Sequence, residues 1–186
     1  MPRVTHVKAA RQDNPVCKKG ESYYWWKFRY GGKHYSLTYP RPAQLTQSAY
    51  KGNLYNICDT QGNFSIDTSA YEGDFEDRLE QMKADAISQL EEIQSSIQEA
   101  RDECQESLDN MPEQLQYAPT GELLQERIDA LENVDNEIDS ASSEIDSVEL
   151  DLTDCEDDDD RTGVLDGAAE EIQEHFCNID IDQAVV

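Results

Sequence analysis

Two long stretches of the chain repeat apolar residues every three or four positions, which is the spacing of one face of an α-helix. The first stretch has no Pro or Gly between Gly73 and Pro112, so it predicts an uninterrupted helix of roughly 55 Å at 1.5 Å per residue. We expect Asp74 to be its N-cap and Thr120 to be the N-cap of the second helix. The apolar positions are Phe75, Leu79, Met82, Ala86, Leu90, Ile93, Ile97, Ala100, Cys104, Leu108 and Met111 in the first stretch, and Leu124, Ile128, Leu131, Val134, Ile138, Ala141, Ile145, Val148 and Leu152 in the second.

The segment between these helices, residues 110–121, contains two prolines and a glycine and predicts a turn. A short turn between two long helices favours an antiparallel hairpin in which each apolar stripe covers the other. The same stripes also allow a second copy of the chain to pair, giving a homodimeric or four-helix coiled coil. The hairpin, residues 73–152, is the element around which the rest of the chain is arranged.

Residues 22–38 precede the hairpin and are rich in Tyr and Trp, which favour β-strands. Gly31 and Gly32 separate two aromatic runs and predict a two-residue hairpin turn, and a further short strand is expected at residues 4–8. Strand alternation places one set of side chains on each face of the sheet. The aromatic set, which we expect to form a small core, is Tyr24, Trp26, Phe28 and Tyr30; the set that mixes rings with cations is Tyr23, Trp25, Lys27 and Arg29.

The remaining segments predict smaller elements. A short helix is expected at residues 45–50, and strand edges are expected at 54–57 and 64–66 on either side of a turn at 59–63. Residues 151–160 hold seven acids in ten positions and predict disorder. Helical spacing from Val164 to Phe176 predicts a short third helix, either docked on the hairpin or free until a partner covers it, and residues 179–186 alternate as a strand does.

The predicted fold class is therefore α+β in three parts. A small N-terminal antiparallel β module, residues 1–72, is followed by the antiparallel helical hairpin, residues 73–152, and by an acidic tail with a short C-terminal helix, residues 153–186. Only 37% of the residues are hydrophobic, which suits an extended hairpin with a small satellite module better than one large core.

Charge separates the chain into two regions. The net charge is −26, but residues 1–52 carry ten Lys and Arg against two acids, a net +8, while residues 53–186 carry five against 39, a net −34. Such asymmetry implies two surfaces with different partners. No run approaches the roughly 20 apolar residues of a membrane span, and the N-terminal residues lack the apolar core of a signal peptide. We therefore expect a cytoplasmic protein without membrane contact, in the host cytoplasm if it is encoded by a phage.

The sequence predicts no cofactor and no catalytic site. Its five cysteines are odd in number and form no CxxC pair, which fits reduced thiols. A zinc site can be composed from Cys17, Cys58, His6 and His34, but no ligand spacing supports it. Nucleophile–His pairs, phosphate-binding glycine loops, HExxH and EF-hand spacings are all missing, so we expect no metal and no enzymatic activity.

The mixed aromatic and basic face of the β module is the predicted functional surface. Lys and Arg neutralise phosphates while aromatic rings stack on bases, a combination typical of nucleic-acid binding. Two other interpretations of this face remain: it can pack against the rest of the chain, or it can bind a protein. The candidate nucleic-acid-binding residues are Tyr23, Trp25, Lys27, Arg29, Lys33, His34 and Arg41.

A family resemblance supports the first of these interpretations. Residues 23–38, with an aromatic and basic strand, the Gly31-Gly32 turn and then Lys33-His34-Tyr35, resemble the arm-type DNA-binding domain of phage integrases. That resemblance implies a three-stranded sheet laid into a DNA groove, although no recombinase catalytic domain follows it. The whole chain also resembles small uncharacterised proteins of tailed phages.

Three functional hypotheses follow. In the first, a non-enzymatic phage-like interaction protein binds nucleic acid or a nucleoprotein through its β module and uses the acidic coiled coil as a spacer or oligomerisation element. In the second, the hairpin is a DNA mimic that inhibits a host DNA-binding or defence protein, because its charge of about one per 2.5 Å approaches the one per 1.7 Å of duplex DNA. The third makes the chain a structural part of a virion or other assembly.

Overall fold

The computed structural model describes residues 1–153, 155 and 157–186. The chain is α+β, as the sequence predicted, and forms two compact units, Met1–Asn56 and Ile57–Val186. The division differs from the predicted boundary at residue 72, because Cys58, Gln61 and Phe64 make contacts with the C-terminal part of the chain. No helix in the described part of the chain is long and apolar enough to cross a bilayer.

The first unit contains a three-stranded antiparallel sheet, β1 (Thr5–Val7), β2 (Tyr23–Lys27) and β3 (Lys33–Ser36), in that order across the sheet. The register pairs Thr5 with Trp25, and Trp25 with Tyr35. The loop between β1 and β2 closes through backbone hydrogen bonds between Ala10 and Glu21 and between Gly20 and Ala10. Gly20 has φ +97°, which a residue with a side chain rarely adopts.

The predicted two-residue turn at Gly31-Gly32 is wrong. Strand β2 ends at Lys27, which pairs with Lys33, so five residues rather than two connect the strands. A backbone hydrogen bond of 3.3 Å from Gly31 N to Phe28 O closes a turn within this connection. The strand alternation therefore stops at Lys27, and Tyr30, predicted to lie in the core, is 85% exposed.

The predicted strand edges at 54–57 and 64–66 are also wrong. Residues 54–62 lie within helix α1 (Ala49–Gly62), and residues 64–66 belong to no regular element. Leu54 and Ile57 are both buried, and the three-residue step between them is a helical spacing rather than a strand spacing. Two 3₁₀ helices, Pro42–Leu45 and Thr68–Ala70, complete this connection.

Helices α2 (Phe75–Asp109) and α4 (Pro119–Asp146) form the predicted antiparallel hairpin, with the four-residue helix α3 (Glu113–Gln116) between them. The antiparallel order is visible in cross-helix hydrogen bonds: Gln94 donates to Asp139 at 2.7 Å and Gln98 to Asp135 at 3.1 Å. The ammonium of buried Lys83 donates a 2.9 Å hydrogen bond to the carbonyl of Asp146, the last residue of α4. A cation at this position is favourable because the C-terminal end of a helix carries partial negative charge.

The predicted stripes are the buried positions of this hairpin. From Leu79 to Cys104 in α2, and from Ile128 to Ile145 in α4, every predicted apolar position is buried. Asp74 is the N-cap of α2, as predicted, and its carboxylate accepts a hydrogen bond from Asp77 N at 2.9 Å. Thr120 is not the N-cap of α4, because Pro119 already occupies the first helical position after Ala118, a position that proline favours.

The C-terminal helix α5 (Asp158–Cys177) packs against both α2 and α4, so the hairpin becomes a three-helix bundle. Of the acidic run predicted to be disordered, residues 158–160 form the first turn of α5, where the positive end of the helix dipole stabilises carboxylates. Residues 154 and 156 lie outside the described residues. The tail predicted as strand-capable is instead a 3₁₀ helix, Ile181–Ala184, whose Ile181 and Ala184 are buried against α4.

All five cysteines are free thiols, and Cys58 differs from an ordinary one. Burial raises the pKa of the Cys58 thiol to about 12, and the nearby Asp182 carboxylate, 3.6 Å from Sγ, adds to the rise. At pH 8 only about one Cys58 in ten thousand is then a thiolate, since each pKa unit is a factor of ten. We expect iodoacetamide to modify exposed Cys177 at pH 8 well before Cys58, as peptide mass mapping will measure.

The Asp182→Asn variant is expected to raise the alkylation rate of Cys58 by roughly tenfold, since removing a neighbouring negative charge stabilises the thiolate. Asp180→Asn is the matched control, because Asp180 lies two residues away and does not contact the thiol. Equal labelling of Cys58 and Cys177, or equal effects of the two variants, would contradict the assigned environment.

Candidate nucleic-acid interface

The strand register decides which side chains share a face of the sheet, because directly opposed residues in an antiparallel pair point the same way. Two faces result from the pairing of β1, β2 and β3. We call the first the packed face; it carries His6, Tyr24, Trp26 and His34. We call the second the basic face; it carries Tyr23, Trp25, Lys27, Lys33 and Tyr35.

The packed face is the core side of the sheet, as the sequence predicted for Tyr24 and Trp26. Trp26 is 3% exposed, and its indole Nε1 donates a 3.1 Å hydrogen bond to the carbonyl of Gln44 in the 3₁₀ helix Pro42–Leu45. Its ring stacks on His34 with 5.5 Å between centroids, and Tyr24 stacks on His6 at 4.5 Å. Trp26 is the buried residue of this face, whereas Tyr24 is half-buried and His6 and His34 are exposed.

The basic face presents a row of half-buried rings beside exposed lysines. The rings of Tyr23 and Tyr35 have centroids 6.0 Å apart. The ammonium of Lys33 lies 4.6 Å from the centroid of the Trp25 ring, which is a cation–π contact. The cations and rings that the sequence placed together therefore do meet, and a base stacked beside Trp25 would lie within reach of a lysine.

The two lysines of this face are opposed in the sheet. Lys27 and Lys33 are directly paired across β2 and β3, and among the described residues neither forms an ion pair. Like charges placed directly opposite each other destabilise a sheet by roughly 0.2–1 kcal/mol. An anion bound between them would remove that repulsion, so the arrangement favours a negatively charged ligand.

The structure brings together four of the seven predicted site residues, Tyr23, Trp25, Lys27 and Lys33. The other three lie elsewhere: Arg29 is in the connection after β2, over Tyr30 at 5.3 Å; His34 is on the packed face; and Arg41 precedes the 3₁₀ helix that covers Trp26. His34 was misplaced because the strand residue after Lys33 must point to the opposite face.

Tyr35 belongs to the basic face and was missing from the predicted site. Its position could have been found from the sequence, because Tyr35 stands two residues after Lys33 in the same strand and so shares its face. Among the described residues, no group of three or more His, Cys, Asp or Glu side chains is arranged to hold a metal ion.

Comparisons of the chain with protein-family models, with curated proteins and with solved structures found no match. The resemblance of residues 23–38 to the arm-type domain of phage integrases therefore stays a prediction. The class of the protein is defined by its architecture alone, a small three-stranded sheet module followed by an acidic helical bundle.

Proposed function

We propose that this protein is a non-enzymatic nucleic-acid-binding protein and that the basic face of its sheet is the binding surface. The observation that carries the proposal is the row of Tyr23, Trp25 and Tyr35 beside two lysines that form no ion pair with any described acid. Rings of this kind stack on bases of any sequence, and lysines bind the phosphates that connect them. The expected binding is therefore sensitive to salt and tolerant of sequence.

The acidic bundle has a different role in this proposal. Its apolar stripes are buried among α2, α4 and α5, and its carboxylates repel nucleic acid. We assign to it the part of a spacer that presents the basic module. Pairing of two copies through the hairpin, which the sequence allowed, would have to use surfaces other than these buried stripes.

The test uses the full chain and a fluorescently labelled oligonucleotide, with anisotropy measured over a range of salt concentrations. We expect Trp25→Ala to weaken binding by roughly 5- to 100-fold, which is the range for one lost base-stacking contact. The double variant Lys27→Ala, Lys33→Ala should lower the slope of log K against log salt by about 1.4, since each phosphate contact on a single strand contributes about 0.7.

Lys18→Ala with Lys19→Ala is the matched control, because it removes the same charge from the β1–β2 loop, where Lys18 lies 3.7 Å from Asp13. The control should retain nearly all of the salt slope. If both double variants lower affinity equally, the charge of the module rather than this face controls binding. If the intact protein binds no oligonucleotide at low salt, the proposal is wrong and the acidic bundle becomes the candidate interaction surface.

A further inference from the structure

A cavity of about 590 Å³ lies in the first unit, where β2 leads into its connection to β3. This volume is within the range of sites that hold small organic ligands, about 300–1,000 Å³. Its wall is built from four separate parts of the unit: the N-terminal residues Met1 and Pro2, the end of β2 with the turn, residues 45–47 at the end of the 3₁₀ helix, and α1. The side chains that matter here are Lys27, Phe28, Arg29, Leu45, Lys51 and Tyr55.

The wall of this cavity is cationic. Lys27, Arg29 and Lys51 line it, and none of its lining residues, all of them described, is an acid. The only acids in the first unit are Asp13 and Glu21, and both are bound in the β1–β2 loop: Asp13 accepts from Lys19 N at 2.8 Å and Glu21 from Lys18 N at 2.7 Å. The cavity is therefore a place where a phosphate is favoured.

The same cavity has an apolar and aromatic part. Leu45 is buried beneath it, and Phe28 is held edge-on against His34 with centroids 5.5 Å apart. Lys51 and Tyr55 are one turn apart on α1, which brings a cation and a ring to one face of the helix. A ligand that suits this wall has a planar ring next to a phosphate, which is the chemistry of a nucleotide.

The cavity and the basic face share one residue. Lys27 lies on the basic face opposite Lys33 and also lines the cavity, so the cationic surface of the basic face continues into the cavity. A base in a duplex can enter such a pocket only if it is flipped out, which costs unstacking and unpairing energy. A single strand has no pairs to break.

We propose that this cavity binds one nucleotide of a single-stranded nucleic acid whose neighbouring bases stack on the basic face. The phosphate is held by Lys27 and Arg29, and the base lies against Phe28 and Tyr55. The inference rests on the proposed function and narrows it, because it makes single strands the preferred ligand. An acidic peptide would satisfy the cations but would leave the aromatic part of the wall without a stacking partner.

The experiment uses the full chain with three probes: a labelled 12-nucleotide oligothymidylate, the same strand in a duplex, and thymidine monophosphate as a separate ligand. Arg29→Gln is the main variant because Arg29 is an exposed turn residue. We expect it to weaken both thymidine monophosphate and the single strand by about tenfold, since a hydrogen bond to a charged group contributes roughly that factor. Lys19→Gln, the control, should change either affinity by less than about twofold, as expected for a surface residue outside the site.

Comparison with Trp25→Ala separates this inference from the proposed function. Trp25→Ala should weaken the single strand but leave thymidine monophosphate bound, because Trp25 does not line the cavity. If the single strand binds and depends on Trp25 while thymidine monophosphate does not bind, the cavity proposal is overturned and the proposed function stands. If thymidine monophosphate binds but no oligonucleotide does, the proposed function fails. The cavity proposal would also be overturned if the duplex bound as tightly as the single strand. It would be overturned as well if a polyglutamate peptide bound as tightly as the single strand and Arg29→Gln weakened that binding.

Discussion

Replacing Phe176 with Ala is expected to lower the free energy of unfolding of the helical bundle by about 3–5 kcal/mol, the range for truncating a fully buried aromatic side chain. Phe176 is 0% exposed, and its ring stacks on Phe64 with 3.7 Å between centroids and 17° between planes. The carbonyl of Phe176 also accepts a hydrogen bond of 3.2 Å from the Gln61 side chain. Removing the Phe176 ring leaves a cavity where α5 meets the segment after α1.

The measurement is denaturant unfolding followed by circular dichroism at 222 nm, which reports the helices of the bundle. Tyr117→Ala is the control, because Tyr117 is an aromatic residue that is 80% exposed, and its loss should change stability by no more than about 0.5 kcal/mol. Comparable losses in the two variants, or a loss below about 1 kcal/mol for Phe176→Ala, would show that α5 does not depend on this contact.

Replacing Gly121 with Ala is expected to destabilise the bundle by about 1–3 kcal/mol, as overpacking of a filled site does. Gly121 is buried in the first turn of α4, where the helix passes against the end of α3. A Cβ built on Gly121 would overlap the carbonyl group of Gln116 and would lie 2.7 Å from its Cα. Backbone atoms cannot rotate away as a side chain does, so the connection between α3 and α4 would have to open.

Gly167→Ala supplies a control with the opposite expected sign. Gly167 is an exposed position inside α5, and a Cβ added there would meet nothing within 4 Å. Alanine is the better helix former by about 0.5–1 kcal/mol, so this variant should be more stable than the natural chain. The same unfolding assay measures both changes, and a stabilising Gly121→Ala would mean that the close approach of α3 and α4 is not required.

Both proposed binding elements depend on the way charge is divided between the two units. The first unit holds the lysines and arginines of the basic face and the cavity, while its two acids are bound within one loop. The second unit carries exposed carboxylates along α2 and α4. The binding tests above measure the cationic surface directly.

Part of the predicted site followed from strand alternation alone. Tyr23, Trp25 and Lys27 alternate along one strand, so any sheet containing that strand would place them on one face. The cavity could not be predicted in the same way. Its wall combines Arg29 with Lys51 and Tyr55, and these residues come together only because the chain between them folds as a 3₁₀ helix followed by α1.

The apolar spacing by itself determined the two long helices and the stripes that they bury, because a helix with one apolar stripe must cover it. The short turn favoured an antiparallel hairpin but left pairing with a second copy open, and the structure shows the hairpin within one chain. The sequence also determined how residues 23–27 of β2 alternate between the two sheet faces. Tertiary structure decided what local pattern left open: residues 54–62 are helical, α5 completes the bundle, and the tail is a 3₁₀ helix rather than a strand. The physical reason is that these segments are short, and their conformations depend on contacts more than 100 residues away, such as those of Phe64 with Phe176 and Cys58 with Asp182.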